Sequence, residues 1–334
     1  MEQVLWLSKA DVEQTGVCRM EEAQAIVERV FRLFDQQQAC IVPESSLRLG
    51  DAGQDQACYA LPAYVGGDTG VCGLKWTAHG AATSPVEFAV SRIQATILIN
   101  EVSRGVPLAL LNGTDIGAAR TGAVTALALT QLAPLNTQKV ALCGAGGQAE
   151  RQLQAVLHAL PQVREVAIWS RGGQRNKVLA AHYQASAGGR LRPVDSLEEA
   201  VDGADVIIGA TSAPQPYLKP EHLRSASLYC HIGFHEISAP AVDCFRRVVV
   251  DTWEEAKDVS GQSLFRYYRE GRFDPERLTG TLGAILSGRL EMPRGTVEDK
   301  ILFDAFGLPI FDLGLAKEAY VRARRLGLGT FLSW

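Results

Sequence analysis

The chain has 334 residues, of which 47% are hydrophobic and 21% are charged, and its net charge is −4 with neutral histidines. This composition is typical of a folded globular protein. It argues against a disordered chain, and against a nucleic-acid binder, which needs an excess of basic residues. Because one core rarely grows beyond about 300 residues, we expect two domains.

The sequence predicts a cytoplasmic protein without a membrane segment. Its first residues lack the basic start and long apolar stretch of a signal peptide. No apolar run reaches the roughly 18 residues of a spanning helix. The seven cysteines are scattered and form no CxxC pair, so neither a disulfide framework nor a metal site is predicted.

The first third of the chain predicts an α+β segment dominated by a sheet. A short strand over 5–7 precedes a helix that Ser8 and Asp11 can cap, and a second helix over 20–36 has apolar residues at helical spacing. Strand-like runs separated by Gly- and Asp-rich turns follow. They cover residues 40–42, 56–63, 70–77, 93–100 and 107–111.

From residue 115 onward the pattern changes to alternating helices and strands. This alternation argues for a parallel sheet with helices on both faces, hence an α/β fold. A final amphipathic helix ends at Gly327 and Gly329. The predicted helices are 115–132, 148–160, 174–185 and 312–326, and the predicted strands are 139–143, 165–169, 205–208, 227–232 and 247–250.

The strongest chemical signal is a glycine-rich turn between a strand and a helix, which is typical of dinucleotide binding. Gly144 permits the tight turn, Gly146 leaves room for a pyrophosphate, and Ala149 lets the helix pack closely on the strand. Free N–H groups at the helix start favour phosphates. A glycine turn in a flavodoxin-like fold without nucleotide is the alternative. The predicted cofactor contacts are Gly144, Ala145, Gly146, Gly147, Gln148 and Ala149.

The residues after the next strand favour NADP(H), with NAD(H) still possible. An NAD-specific site usually places an acid there for the ribose 2′-OH, whereas this chain has Ser170 and Arg171. A hydroxyl and a guanidinium suit a 2′-phosphate, although these residues can also simply solvate a helix start. Small residues after a later strand are predicted to line the same crevice; they are Ala210, Thr211 and Ser212.

Three cations, Arg48, Lys75 and Arg120, stand among apolar neighbours. Buried cations need partners, so pairing with Asp or Glu is the alternative for each. Three of them before a dinucleotide domain favour a pocket for a carboxylate, with Arg92 a weaker candidate. Other candidate pocket residues are Tyr59, Tyr64, His79 and Phe88.

Several of these stretches resemble the ornithine cyclodeaminase/mu-crystallin family: residues 73–76, 97–100, 105–114, 120–123, 144–149, 316–320 and 327–330. The resemblance implies a Rossmann domain over 119–313 and an α+β substrate and dimerisation domain built from both chain ends, 1–118 and 314–334. It implies a homodimer and NAD(P)-linked chemistry on a small amino acid or its imine. Lys75 and Arg120 match the family's carboxylate-binding residues, and Thr121 is expected to contact the cofactor. Arg48 matches only approximately, because Glu44 and Ser45 stand where a basic residue is expected.

The loop after the fifth Rossmann strand departs from the cyclodeaminase pattern. Cyclodeaminases place an Asp near the nicotinamide, whereas this chain has His235 followed by Glu236. Gly233 and Phe234 in the same loop are expected to contact the cofactor. The loop partly resembles a branch with a His-x-Ser-Leu-Arg-Asp sequence, whose members oxidise a secondary amine joining two amino acids during diaminopropionate synthesis.

The family chemistry moves hydride between nicotinamide C4 and the carbon of a C–N bond next to a carboxylate. His235 can serve as acid or base near neutrality, or can be an ordinary loop histidine. Glu236 can stabilise an iminium or orient His235, and Lys75 completes the predicted catalytic set. The leading hypothesis is an imine reductase or amino-acid dehydrogenase. The alternatives are an ornithine cyclodeaminase that recycles NAD internally, a secondary-amine dehydrogenase, and a non-catalytic NADP-binding protein.

Overall fold

The chain divides into two compact units. The computed structural model describes residues 3–49, 56–80 and 93–334, so Phe88 and Arg92 lie outside the described residues. The first unit comprises residues 1–123 and 308–334, and the second comprises residues 124–307. The sequence predicted these limits at residues 118/119 and 313/314, five and six residues away.

The described residues form sixteen strands and ten α-helices, with short 3-10 turns at Pro220–Leu223 and Pro275–Arg277. The strands are β1 (Gln3–Leu7), β2 (Ala39–Ile41), β3 (Ser45–Arg48), β4 (Ala57–Val65), β5 (Val71–His79), β6 (Ile93–Glu101), β7 (Pro107–Asn112), β8 (Lys139–Cys143), β9 (Glu165–Trp169), β10 (Leu191–Val194), β11 (Val206–Gly209), β12 (Leu228–His231), β13 (Arg247–Val250), β14 (Leu278–Thr281), β15 (Ile301–Asp304) and β16 (Thr330–Ser333). The helices are α1 (Lys9–Thr15), α2 (Met20–Asp35), α3 (Thr114–Leu132), α4 (Gly147–Ala159), α5 (Arg175–Tyr183), α6 (Leu197–Val201), α7 (Ala239–Val242), α8 (Ser263–Arg269), α9 (Leu282–Leu286) and α10 (Pro309–Leu326).

The first unit is built on a mixed sheet in the order β16-β1-β7-β6-β5-β4-β2, with β3 also paired to β4. Side chains alternate between the two faces of each strand. Ile97 and Leu111 are buried on the face that α10 covers, and Phe31 of α2 packs on Phe311 of α10 with ring centroids 4.4 Å apart. On the opposite face Trp76 remains 42% exposed.

The second unit is a parallel sheet in the order β10-β9-β8-β11-β12-β15-β13-β14. Its first five strands in chain order have the 3-2-1-4-5 arrangement of the Rossmann fold, which confirms the predicted fold class. The central strands are buried along their length, as expected when helices cover both faces of a sheet. Strand β15 enters between β12 and β13 and so places Asp304 beside His231.

Several local predictions are confirmed by cap geometry. The Ser8 hydroxyl accepts a hydrogen bond from the Asp11 N–H at 3.2 Å, and an Asp11 carboxylate oxygen accepts one from the Ser8 N–H at 2.9 Å. Gly327 ends α10 with φ of +68°, a left-handed conformation that favours glycine.

Other local predictions need correction. Helix α10 begins at Pro309 rather than at 312, because proline fits the first turn of a helix. Five strands were not predicted: β3, β10, β14, β15 and β16. Among the described residues, none of the helices combines the length and apolarity needed to cross a membrane.

Candidate functional site

The glycine turn between β8 and α4 has the shape that a dinucleotide needs. Gly144 has φ of +128°, and a Cβ there would lie 2.4 Å from the carbonyl oxygen of Ala210. Ala149 is buried beneath the turn. A Cβ on Gly146 would meet no described atom within 4 Å. The turn is therefore closely packed at Gly144, where it meets the backbone of Ala210, and open at the start of α4, where phosphates bind.

The carboxyl end of β9 carries the groups predicted to meet the ribose. The Ser170 hydroxyl oxygen is buried and has no hydrogen-bond partner among the described residues, whereas Arg171 is exposed. Lys177 forms an exposed ion pair with Asp195 at 3.3 Å. A buried hydroxyl without a partner suits a ligand that accepts a hydrogen bond, so these residues fit an adenosine ribose or its phosphate.

The loops after β11 and β12 are joined by one carboxylate. Glu236 is fully buried, and its Oε1 accepts hydrogen bonds from the Thr211 N–H at 2.7 Å, the Thr211 hydroxyl at 2.6 Å and the Tyr217 hydroxyl at 2.9 Å. Its Oε2 accepts one from the Gly233 N–H at 3.1 Å. Burial raises the pKa of Glu236, against the opposing charge of His231. On either side of Thr211, Ala210 is half-buried and Ser212 is exposed.

A buried imidazole lies next to this carboxylate. The Nδ1 atom of His231 lies 2.6 Å from a carboxylate oxygen of Asp304, and its Nε2 lies 3.8 Å from Oε2 of Glu236. Burial disfavours the charged imidazolium, but the charges of Asp304 and Glu236 outweigh burial and raise the pKa of His231. No role was predicted for His231 or Asp304 from the sequence, because their pairing depends on the position of β15.

His235 and Phe234 form the accessible part of the β12 loop. Phe234 is 59% exposed. The Nδ1 atom of His235 lies 3.1 Å from the Ser263 hydroxyl oxygen, and its ring packs 5.9 Å from that of Tyr267. Burial, together with the nearby charge of Arg266, lowers the pKa of His235. The loop therefore offers a partly open titratable group whose ring is held in place.

In the first unit, two of the three predicted cations meet at one acid. The Nζ atom of Lys75 donates a 2.7 Å hydrogen bond to Oδ2 of Asp312, and Nε of Arg120 lies 3.4 Å from the same oxygen. Lys75 and Asp312 are both buried. Burial lowers the pKa of Lys75, with Arg120 acting in the same direction and Asp312 opposing. Thr121, the next residue on α3, donates its hydroxyl hydrogen to the carbonyl oxygen of Gly117 at 3.0 Å.

Arg48 is not part of this cluster. It is exposed on β3, paired with Ala57 of β4, whereas Lys75 pairs with Leu61 further along β4. Four residues and two strand spacings separate the two backbone positions by about 17 Å. Glu44, in contrast, is half-buried; burial raises its pKa, and the charge of Lys75 opposes this shift.

From the sequence, Asp312 was predicted only as the first residue of a helix and not as a member of the cation site. Yet the acid stands alone in the apolar run 308–316. An isolated acid in such a run is the signal that could have found it, since a buried carboxylate needs a cationic partner. Of the aromatic candidates, Tyr59 and His79 lie together, with ring centroids 5.0 Å apart.

Comparison with known proteins gives a consistent result. The model of the ornithine cyclodeaminase/mu-crystallin family matches residues 3–326. The N-((2S)-2-amino-2-carboxyethyl)-L-glutamate dehydrogenase of Staphylococcus aureus is 24% identical over 281 residues, 82% of this chain and 81% of that protein.

Two solved structures are similar over almost the whole chain. The Δ1-pyrroline-2-carboxylate reductase of Thermococcus litoralis, in complex with NADH and L-proline, has a TM-score of 0.88 and 27% identity, covering 98% of this chain and 99% of that chain. An archaeal alanine dehydrogenase, a dimer with bound NAD, has a TM-score of 0.88 and 26% identity, covering 100% of both chains.

Proposed function

Since the chain belongs to the ornithine cyclodeaminase/mu-crystallin family and is an NAD(P)-dependent oxidoreductase acting on C–N bonds, we propose that it reduces a small 2-imino acid to an amino acid. The observation that carries this proposal is the buried cluster in the first unit. Lys75 and Arg120 share the carboxylate of Asp312, so two cations face one paired anion. An incoming carboxylate gives these two cations a second partner beside Asp312.

Different residues carry out substrate binding and proton transfer. Lys75 and Arg120 bind the substrate carboxylate, and Asp312 fixes the position of both cations. His235 holds a proton for the imine nitrogen, since a protonated C=N group accepts hydride more readily. The reduced nicotinamide supplies the hydride when bound. Gly144 and Gly146 shape the turn that holds its pyrophosphate.

We favour NADP(H) over NAD(H) as the cofactor. Arg171 is exposed at the end of β9, beside the buried Ser170 hydroxyl oxygen. A guanidinium and a hydroxyl complement a 2′-phosphate, whereas an acid at this place would repel it.

We also propose a homodimer formed through the open face of the first unit's sheet. Pro62, Leu74, Leu98 and Leu110 form one row across four strands, because each is the register partner of the next. None of the four is fully buried. An apolar sheet face of this kind usually marks an interface, and the similar archaeal alanine dehydrogenase is described as a dimer. Leu74→Glu should give monomers in sedimentation velocity. The control Val178→Glu, at a half-exposed position of the second unit, should not.

A substrate screen tests the proposed reaction. The protein is incubated with NADPH or NADH and cyclic imino acids, or 2-oxo acids plus amines, while absorbance is followed at 340 nm. Oxidation of the cofactor by a cyclic imino acid is the expected result, and Lys75→Met should abolish it while retaining cofactor binding. Formation of proline and ammonia from L-ornithine with catalytic NAD would instead identify a cyclodeaminase. No absorbance change with any substrate would favour a non-catalytic binding protein.

A secondary-amine dehydrogenase is the second candidate. The short loop from Gly233 to Glu236 and the similarity to the Staphylococcus aureus dehydrogenase favour it. Oxidation of such an amine gives an imine, whose hydrolysis releases an amino acid and a 2-oxo acid. Formation of reduced cofactor together with a 2-oxo acid, from an amine that joins two amino acids, would support this candidate over the first.

A further inference from the structure

The carboxylate of Glu236 connects two loops at the carboxyl edge of the second unit's sheet. Thr211 and Tyr217 belong to the loop after β11, and Gly233 belongs to the loop after β12. All four hydrogen bonds run from these loops to Glu236. Hydrogen bonds to a charged acceptor are stronger than those between neutral groups. One buried side chain therefore fixes the relative position of both loops.

The carboxylate of Glu236 is fully buried and closely packed against two glycines. A Cβ on Gly209 would lie 2.4 Å from Oε2 of Glu236, and a Cβ on Gly233 would lie 2.4 Å from its Cδ atom. Glycine is therefore needed at both positions to make room for the carboxylate. A group enclosed in this way, with both oxygens accepting hydrogen bonds, is poorly suited to exchange protons with a ligand.

The same loops border the glycine turn. The Ala210 N–H donates a 2.8 Å hydrogen bond to the carbonyl oxygen of Cys143, and the carbonyl oxygen of Ala210 is the atom nearest to a Cβ on Gly144. Thr211 follows directly in the chain. In a Rossmann fold, the loops after the fourth and fifth strands contact the second nucleotide of the cofactor, so their spacing affects its binding.

We propose that Glu236 is a positioning residue that holds the loops after β11 and β12 in the shape that binds the nicotinamide half of the cofactor, and that it transfers no proton to the substrate. This inference rests on the proposed function. It replaces the catalytic role that the sequence suggested for Glu236 and leaves His235 as the proton carrier of the loop.

Cofactor binding tests the inference without any turnover. NADPH and NADH are titrated by nicotinamide fluorescence against the wild type, Glu236→Gln, Tyr217→Phe and the control Glu198→Gln, whose side chain is 75% exposed. Glu236→Gln replaces one acceptor oxygen by a donor, so we expect the dissociation constant to rise about tenfold or more. Tyr217→Phe removes one of the four hydrogen bonds, and about a threefold rise is expected. Glu198→Gln should bind like the wild type.

Steady-state kinetics separates positioning from proton transfer. At saturating cofactor, Glu236→Gln should keep most of the wild-type kcat and the shape of its pH profile, while KM for the cofactor rises. An unchanged dissociation constant, together with a large loss of kcat and of its pH dependence, would overturn the inference and make Glu236 a catalytic acid. If Glu236→Gln fails to fold, an unchanged dissociation constant in Tyr217→Phe would overturn it as well. A wild type that binds neither cofactor would instead refute the proposed function.

Discussion

Replacing Asp312 by Asn removes the carboxylate to which both Lys75 and Arg120 are paired. At an effective dielectric constant of about 20, the attraction is about 6 kcal/mol for the 2.7 Å pair and about 5 kcal/mol for the 3.4 Å pair. Desolvation of the buried ions offsets much of this, and breaking a buried pair usually costs about 3–5 kcal/mol. We expect the Asp312→Asn variant to lose about 3 kcal/mol of stability, the lower end of this range, because Lys75 can lose its proton and so avoid a buried unpaired charge.

Thermal unfolding measures this cost. For a protein of 334 residues, whose unfolding entropy is about 0.7 kcal/mol per kelvin, a loss of about 3 kcal/mol lowers Tm by roughly 4 °C. The folded-state pKa of Lys75 is lowered, and in the variant it falls further. The folded variant then holds fewer protons than its unfolded chain, so its free energy of unfolding rises with pH. The loss of stability relative to the wild type therefore shrinks as the pH rises toward about 10.

A matched control lies on the same helix. Glu318 of α10 forms an ion pair with Arg322 at 2.8 Å, and both side chains are about a quarter exposed. Because surface pairs contribute about 0–1 kcal/mol, Glu318→Gln should change Tm only slightly. An Asp312→Asn protein that melts like the wild type near pH 7, or whose deficit stays constant as the pH rises, would refute the argument from buried charge.

Five further substitutions test other parts of the molecule. Gly144→Ala should destabilise the fold, because φ is +128° there, whereas Gly146→Ala should keep the wild-type Tm and weaken cofactor binding in a fluorescence titration. Burial raises the pKa of Asp251 to about 7, so its contribution to stability falls as pH rises from about 4 to about 7, by up to about 1.4 kcal/mol per pH unit. Asp251→Asn should flatten that slope in urea unfolding curves. Arg171→Ala should raise KM for NADPH about tenfold and leave KM for NADH unchanged; equal effects on both would argue against a 2′-phosphate contact. His235→Ala should lower kcat strongly with little change in cofactor affinity, and an equal loss of both would reject its role as proton carrier.

Local features of the sequence predicted the dinucleotide turn well. Gly144, Gly146 and Ala149 lie within six residues of one strand–turn–helix unit: the geometry of the turn requires Gly144, and the helix start is left open at Gly146. The capping pair Ser8 and Asp11 is equally local. Such features depend on backbone conformation over a few residues, which the residue types largely determine.

Contacts between residues far apart in the chain were not predicted. Lys75 and Asp312 are 237 positions apart in the chain, so only the folded sheet and α10 bring them together. The sequence places Glu236 beside His235, but its close packing against Gly209 and Gly233 cannot be read from residue types. Arg48 looks like a partner of Lys75, yet the register of β3 on β4 places it elsewhere.

The discontinuous first unit has a consequence for synthesis. Helix α10 covers β4, β5 and β6 and supplies Asp312 to Lys75, but it is translated only after the whole of the second unit. Because the ribosome releases the chain from its N-terminal end, the nucleotide-binding half can mature while β5 still lacks its counter-ion. Nascent chains should therefore expose the apolar sheet of the first unit until the final helix emerges, and this interval is when a chaperone would be needed most.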